Sequence, residues 1–313
     1  MAVNANFDAL LSTTLANYRD KLTDNVFTAR PLTYWLMDKG RIRTESGGTK
    51  IVEQLIHGQN STVGSYSGYD TISLTPQEGI SAAEYEWKQY AASIAISGIE
   101  EAKNNGEHAI INLLEAKIMQ AEESMREGFN TMFFGDGTGN SGKNFNGLGN
   151  IVESQNTVGG INGVTAGNEF WNSYEENTAG ALTLGQMTTA YNSASVGSDH
   201  PDVILTTQTL FEKYESLLTP NLRYADTKTA DAGFQNLLFK ATPIMYDTAC
   251  TAGVVYFLNS KYLKLVGHTD KWFSQTDFIR PENTDARYAL IMCYGNLVCS
   301  NRKKQGKLTA KTA

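Results

Sequence analysis

The 313-residue chain is poor in the features that mark several protein classes. It has three cysteines, Cys250, Cys293 and Cys299, enough for one bridge at most. Cys293 and Cys299 fall in one strand-like stretch, where six residues span ~20 Å, so they cannot pair with each other. Reduced thiols in a cytosolic compartment are expected. No apolar run approaches the ~20 residues that cross a bilayer. The first residues lack the basic and apolar regions of a secretory signal, so neither a membrane partner nor secretion is expected. The four histidines, His57, His108, His200 and His268, have no His or Cys at ligand spacing, and no metal site is expected.

Catalytic signatures are also missing. Gly137-Thr138-Gly139-Asn140-Ser141-Gly142-Lys143-Asn144 approaches a phosphate-binding loop, but Asn144 stands where a Mg²⁺-binding Ser or Thr is needed. The stretch also follows a helical pattern rather than a strand. Gly64-Ser65-Tyr66-Ser67-Gly68 has Tyr where a nucleophile elbow needs Ser. The carboxylate pairs Glu100/Glu101, Glu122/Glu123 and Glu175/Glu176 read as solvated faces, because helical neighbours point apart. No nucleophile, base and orienting group stand at a meaningful spacing. The chain therefore reads as non-enzymatic, with no catalytic residue and no cofactor.

What is present is globular composition, with 41% hydrophobic and 19% charged residues. The net charge of −7 is unevenly placed. After the last acidic residue, Asp285, come Arg287, Arg302, Lys303, Lys304, Lys307 and Lys311. That leaves a net −13 on the first 285 residues against +6 behind them. A basic tail of this kind, carrying Arg302, Lys303, Lys304 and Lys307, can meet a polyanion or serve as a solvated terminus that keeps the protein soluble.

The patterning divides the chain. Leu10, Leu11 and Leu15 suggest a short amphipathic helix. Past Ala29-Arg30-Pro31, the cluster Leu32, Tyr34, Trp35, Leu36 and Met37 reads as an anchoring arm. Residues 48–97 read as a very long hairpin with its apex near Gly68. Ile51, Val52, Leu55 and Ile56 lie in one arm, and Ile80 to Ile96 in the other. Arms of about 20 residues could reach ~66 Å, well beyond a ~20 Å radius of gyration. Such a projection is a liability unless another subunit covers it. Tyr66, Tyr69 and Trp87, in a segment that cannot form its own core, are the expected intersubunit contacts.

Ile110, Leu114, Ile118, Ala121, Met125 and Phe129 recur at spacings of 4, 4, 3, 4 and 4, one stripe of a helix over 107–131, ~35 Å long. Ten glycines then mark 135–167 as a loop. From 171 onward, short helices (184–196, 207–218) alternate with short strands (202–205, 253–259, 262–266), and 288–299 reads as a final strand. The fold class is α+β.

This order of parts resembles the tailed-phage major capsid proteins of the Hong Kong 97 type. The resemblance is most specific from Gly47-Gly48-Thr49-Lys50-Ile51 through Gly135-Asp136-Gly137-Thr138-Gly139-Asn140 to Gly147-Leu148-Gly149-Asn150-Ile151-Val152. Ile110-Ile111-Asn112-Leu113-Leu114-Glu115-Ala116-Lys117 ahead of Met132-Phe133-Phe134-Gly135 resembles that family's spine helix and its exit. The resemblance implies an N-terminal arm (1–45), an extended loop (46–97) and a peripheral domain (98–150 with 270–313). An axial domain would occupy 151–269. The implied activity is self-assembly of hexamers and pentamers into an icosahedral head enclosing double-stranded DNA, with Arg302, Lys303, Lys304 and Lys307 of the basic tail facing that DNA. The implied location is the virion, with host cytoplasm during assembly.

Gly58 to Glu78 holds no Lys, unlike relatives whose shells are welded by an isopeptide bond from this loop, so non-covalent stabilisation is expected. Forty-five residues leave no room for a fused scaffold, so a separate scaffolding protein and a portal are the expected partners. The alternatives are an encapsulin-like compartment of the same fold, another phage structural protein, and a nucleotide-binding α/β enzyme.

Overall fold

Pro31 is well suited to the first turn of a helix, where its missing N–H is not needed, and the helix Pro31–Asp38 begins there. Leu32, Trp35 and Leu36 lie on one face of it and are buried in the main core. Arg30, just ahead, donates to Thr248 Oγ1 (3.0 Å) and pairs with Glu127 (2.9 Å). This computed structural model describes residues 30–38, 42–103, 107–218 and 237–313. The expected helix around Leu10, Leu11 and Leu15 lies outside the described residues, as do the side chains of Met37, Ile110 and Leu114.

The long apolar stripe forms one helix, Glu107–Phe134, about 42 Å long. Ile118, Met125 and Phe129 are buried on its inner face and Ala121 packs beside them. Glu122 departs from the expected solvated face. It is buried and bound by Arg126 at 3.1 Å, and burial raises its carboxyl above the ordinary value against the pull of that cation. The helix ends where the Gly135 N–H closes on the carbonyls of Thr131 and Met132.

The helix packs on a first sheet built around the strand Ala286–Cys299. One flank of that strand pairs with Leu263–His268 and then Ser274–Gln275, and the other with Lys88–Ser97. Ile42–Glu45 adds parallel to Leu263–His268 at the edge. Ile94, Ile96, Ile291, Cys293 and Leu297 face the core with Phe129, Phe133 and Phe145. All three cysteines are free and buried.

A second sheet runs in the order Leu237–Phe239, Thr242–Tyr246, Val203–Thr206, Val255–Leu258, Gly306–Leu308 and Tyr174–Glu176. The helices Leu184–Ser193 and Gln208–Leu217 give this region its own core, Met187, Ala190, Tyr191, Leu210, Phe211 and Tyr214 against Ile204, Val255, Phe257 and Leu308. Two strands cross the expected regional boundaries: Leu263–His268 lies in the first sheet, and Gly306–Leu308 in the second.

The hairpin is shorter than expected. Ile51–Ile56 and Ile80–Tyr85 pair antiparallel from Ile51↔Tyr85 to Ile56↔Ile80, and the pairing stops there. Strands of six residues reach ~20 Å, not ~66 Å. The second arm breaks at Glu86–Trp87, because the buried Asn296 amide donates to the Glu86 carbonyl (2.8 Å). The chain then resumes as Lys88–Ser97 in the first sheet. Residues 57–79 form a loop without strand structure.

Candidate assembly interface

The hairpin has two apolar faces, and only one is covered. Ile51, Glu53, Leu55, Ala83 and Tyr85 point inward. Except for Glu53, they join a cluster with Val158, Trp171, Val266 and Val298. Tyr85 pins the hairpin to the body by donating to the Cys299 carbonyl (2.8 Å). The Trp171 indole donates to the Val158 carbonyl (2.9 Å). Glu53 is drawn inward by Arg43 at 2.7 Å.

The opposite face carries Val52, Gln54 and Ile56 against Glu84, Ala82 and Ile80. Ile56 is 84% exposed and Ile80 79%. The loop between the two strands adds Val63, Tyr66, Tyr69, Ile72 and Leu74, all exposed. Scattered apolar residues are ordinary on a protein surface; their concentration in one segment makes this the candidate contact surface of the chain.

The neck of the loop is narrow. His57 and Gly58 both donate to the Gly79 carbonyl, at 2.9 and 3.3 Å. A Cβ on Gly58 would stand 2.9 Å from Gly79 Cα, so two backbones meet here at a separation only glycine allows. His57 stacks on Phe170 with ring centroids 4.5 Å apart, tying the neck to the body. Gly68 takes φ 52° at the expected apex.

Tyr66 and Tyr69 stand on the open surface; Trp87 does not share it. The Trp87 indole donates to the Gly48 carbonyl (3.0 Å) and its ring meets His268 edge-on at 5.6 Å, at the root of the hairpin. Six aliphatic side chains that sequence reasoning passed over, Val52, Ile56, Val63, Ile72, Leu74 and Ile80, carry more of the exposed surface. Their signal was present: Ile51-Val52 and Leu55-Ile56 make both faces of one strand apolar, and one core can cover only one face of a hairpin.

The expectation of a free basic tail is corrected. Arg302 is wholly buried, with Nε donating to the Ile151 carbonyl (2.8 Å) and Nη2 to the Glu153 carbonyl and Asn156. Its guanidinium lies 6.0 Å from the Trp171 ring centroid, and burial lowers its pKa. Lys304 sits 3.9 Å from Asp199, and burial lowers its pKa as well. Lys307 is buried between Glu153 (2.7 Å) and Glu175 (3.2 Å). Glu175 is therefore no solvated acid: burial raises its carboxyl, but Glu153, Lys307 and Ser154 outweigh that and hold it below the ordinary value. Lys303 remains exposed. Most of these cations are committed to holding the chain together.

The near-phosphate loop also departs from its template. Asn140 and Ser141 adopt left-handed φ of 52° and 57°, and Lys88 donates to the Gly142 carbonyl (2.6 Å). It forms a left-handed turn after a helix rather than a cradle opening one. Among the described residues no three His, Cys, Asp or Glu side chains form a metal-holding group, and no helix is long and apolar enough to cross a membrane. The buried thiols are inert, with Cys299 pushed up by burial to about 12.

No family model and no curated protein matches the sequence. Solved structures do match in fold. The chain is similar to the capsid asymmetric unit of cyanophage A-1(L), at 16% identity, covering 88% of this chain and 91% of that one, with a TM-score of 0.66. It is also similar to the SrpI encapsulin of Synechococcus elongatus, at 11% identity, 89% and 87% coverage and a TM-score of 0.55. A virus-like particle of Pyrococcus furiosus aligns at 12% identity over 94% of this chain and 98% of that one, with a TM-score of 0.53. Phage capsids and encapsulins thus share this chain's fold over nearly its whole length, and the fold is of the Hong Kong 97 capsid type.

Proposed function

We propose that the protein is the major capsid protein of a tailed phage, assembling as hexamers and pentamers into an icosahedral shell around double-stranded DNA. The observation that carries this reading is the bare apolar face of the hairpin and its loop, from Val52 to Ile80. It sits on a fold otherwise found in shells. Burying an aliphatic side chain of this size contributes ~1.5–3 kcal/mol. One copy's loop laid on another therefore supplies substantial association energy, and many such weak contacts close a shell. The loop holds no Lys between Gly58 and Glu78, so the contacts are non-covalent on its side.

Tyr66 and Tyr69 belong to this contact, while Trp87 supports its root. A separate scaffolding protein and a portal complete the assembly pathway. DNA is held by non-specific contacts in which Lys303 is the available member of the basic segment. The shell belongs to the virion and forms in the host cytoplasm. No step of this role needs catalysis.

An encapsulin-like compartment is the second reading, favoured by the fold likeness to the Synechococcus protein. Nuclease digestion of particles purified from infected or expressing cells decides between them. Protected double-stranded DNA of uniform length supports the capsid. Particles containing protein cargo and no nucleic acid support the compartment, and absence of particles removes both.

A further inference from the structure

The C-terminal segment occupies a position in the second sheet that no other described strand fills. Gly306–Leu308 lies antiparallel to Val255–Leu258 on one side and parallel to Tyr174–Glu176 on the other. Tyr174–Glu176 has no other strand neighbour among the described residues. Until 306–308 docks, that strand is unpaired and Val255–Leu258 keeps an open edge. Lys311–Thr312 then adds parallel to Gly180–Ala181. Residues 302–312 are synthesised after every strand they join.

The groove that receives this segment carries the opposite charge. Lys307 is 5% exposed and stands between Glu153 and Glu175; Lys311, 3% exposed, reaches Glu176 (3.3 Å) and the Thr178 carbonyl (2.6 Å). Lys304 faces Asp199 at 3.9 Å. Arg302 closes the entrance through the Ile151 and Glu153 carbonyls. Without the segment, Glu153 and Glu175, which both contact the Lys307 ammonium, lose the cation they share. Leu308, wholly buried, completes the second core from the same strand. Ladder hydrogen bonds, apolar burial and charge compensation therefore all fall on one stretch of chain. Removing one partner from a buried ion pair is far costlier than the pair's net worth.

We propose that residues 302–312 are a completion strap. The second sheet closes only when this basic strand docks in its acidic groove, so an incomplete chain presents no finished subunit for association. The strap and the strands it joins form one cooperative opening unit, separate from the first sheet. The inference concerns the single subunit and stands apart from the shell reading.

Hydrogen exchange read by mass spectrometry on the full-length dispersed subunit tests it. In Lys307→Glu, exchange at 174–182, 255–258 and 306–312 should rise together by about 100-fold or more. Exchange at 88–97 and 286–299 should stay as in the parent. The exchanged pair Glu175→Lys with Lys307→Glu should restore most of the protection. A rise confined to 306–308, an equal rise in the first sheet, or no restoration overturns the proposal. If Lys307→Glu fails to fold, native-state exchange of the parent chain under rising urea serves instead. The three segments must then open as one unit at lower urea than 88–97 and 286–299; independent openings, or a shared opening with the first sheet, refute the strap.

Discussion

Ile56 and Ile80 face each other across the last rung of the hairpin and point away from the body. Replacing both with Ser separates assembly from folding. At 84% and 79% exposure, neither side chain gives up much burial in the lone subunit, so its stability should change by no more than ~0.5 kcal/mol. If both are covered in the shell, each forfeits ~1.5–3 kcal/mol, or ~3–6 kcal/mol per loop contact. That weakens each contact by ~10²–10⁴-fold. Light scattering should therefore show the assembly threshold rising steeply, while thermal unfolding of the dispersed subunit is unmoved. Leu55→Ser is the control on the same strand: Leu55 is 5% exposed and packs inward, so its loss should cost the subunit itself ~2–5 kcal/mol. Assembly of the double variant at the parent threshold, or destabilisation of the subunit as large as that of Leu55→Ser, would rule out a buried contact at Ile56 and Ile80.

Other expectations can be checked on the same material. No Lys or Arg lies between Lys50 and Lys88, so trypsin should leave the hairpin whole. Chymotrypsin should cut at Tyr66 and Tyr69 in dispersed subunits and much more slowly in shells; equal cutting in both states would mean the loop is not covered. Gly79→Val places a side chain against the Gly58 backbone and should cost ~1–3 kcal/mol. The loss should be read as faster amide exchange at 51–56 and 80–85, and unchanged exchange there would discount the pinched neck. Acid should destabilise the dispersed subunit. Glu100 is held down to about 2 by Lys117 and then by Ser97, and Glu175 is also lowered. Both bind protons less readily folded than unfolded, so their stabilisation is full above ordinary carboxylate pKa values and is lost as pH falls through the folded ones. Unfolding temperature should drop between pH ~5 and ~2; a flat profile would contradict these two environments.

The parts of the fold legible in the sequence are those whose cause is local. The stripe through Ile118, Ala121, Met125 and Phe129 describes one face of a helix, and that face is the buried one. The strands near 203–206, 255–258 and 263–268 follow from short apolar runs between turn signals. Distant causes were not legible. The hairpin ends its second arm at Glu86 because of Asn296, 210 residues away. Arg302, Lys304, Lys307 and Lys311 read as part of a free tail because their carboxylates and carbonyls lie at 151–199. A run of cations looks the same in sequence whether it meets water or a groove lined with acids.

The candidate interface was legible in place but not in composition. The loop was recognisable as a segment unable to form its own core, and the tyrosines drew notice because aromatics anchor interfaces. The aliphatic residues were less visible, since Ile56 and Ile80 look like ordinary strand positions until the register turns them outward. Trp87 holds a position that its spacing does not reveal. Its indole is spent on Gly48, a contact across the hairpin root.

Whether the protein closes into a shell, and what covers its hairpin there, is read from electron cryo-microscopy of the purified protein. Closed shells of hexamers and pentamers are expected, with Ile56, Tyr66, Tyr69, Leu74 and Ile80 covered by an adjacent subunit. Small discrete oligomers, or shells in which those side chains remain bare to solvent, would contradict that expectation.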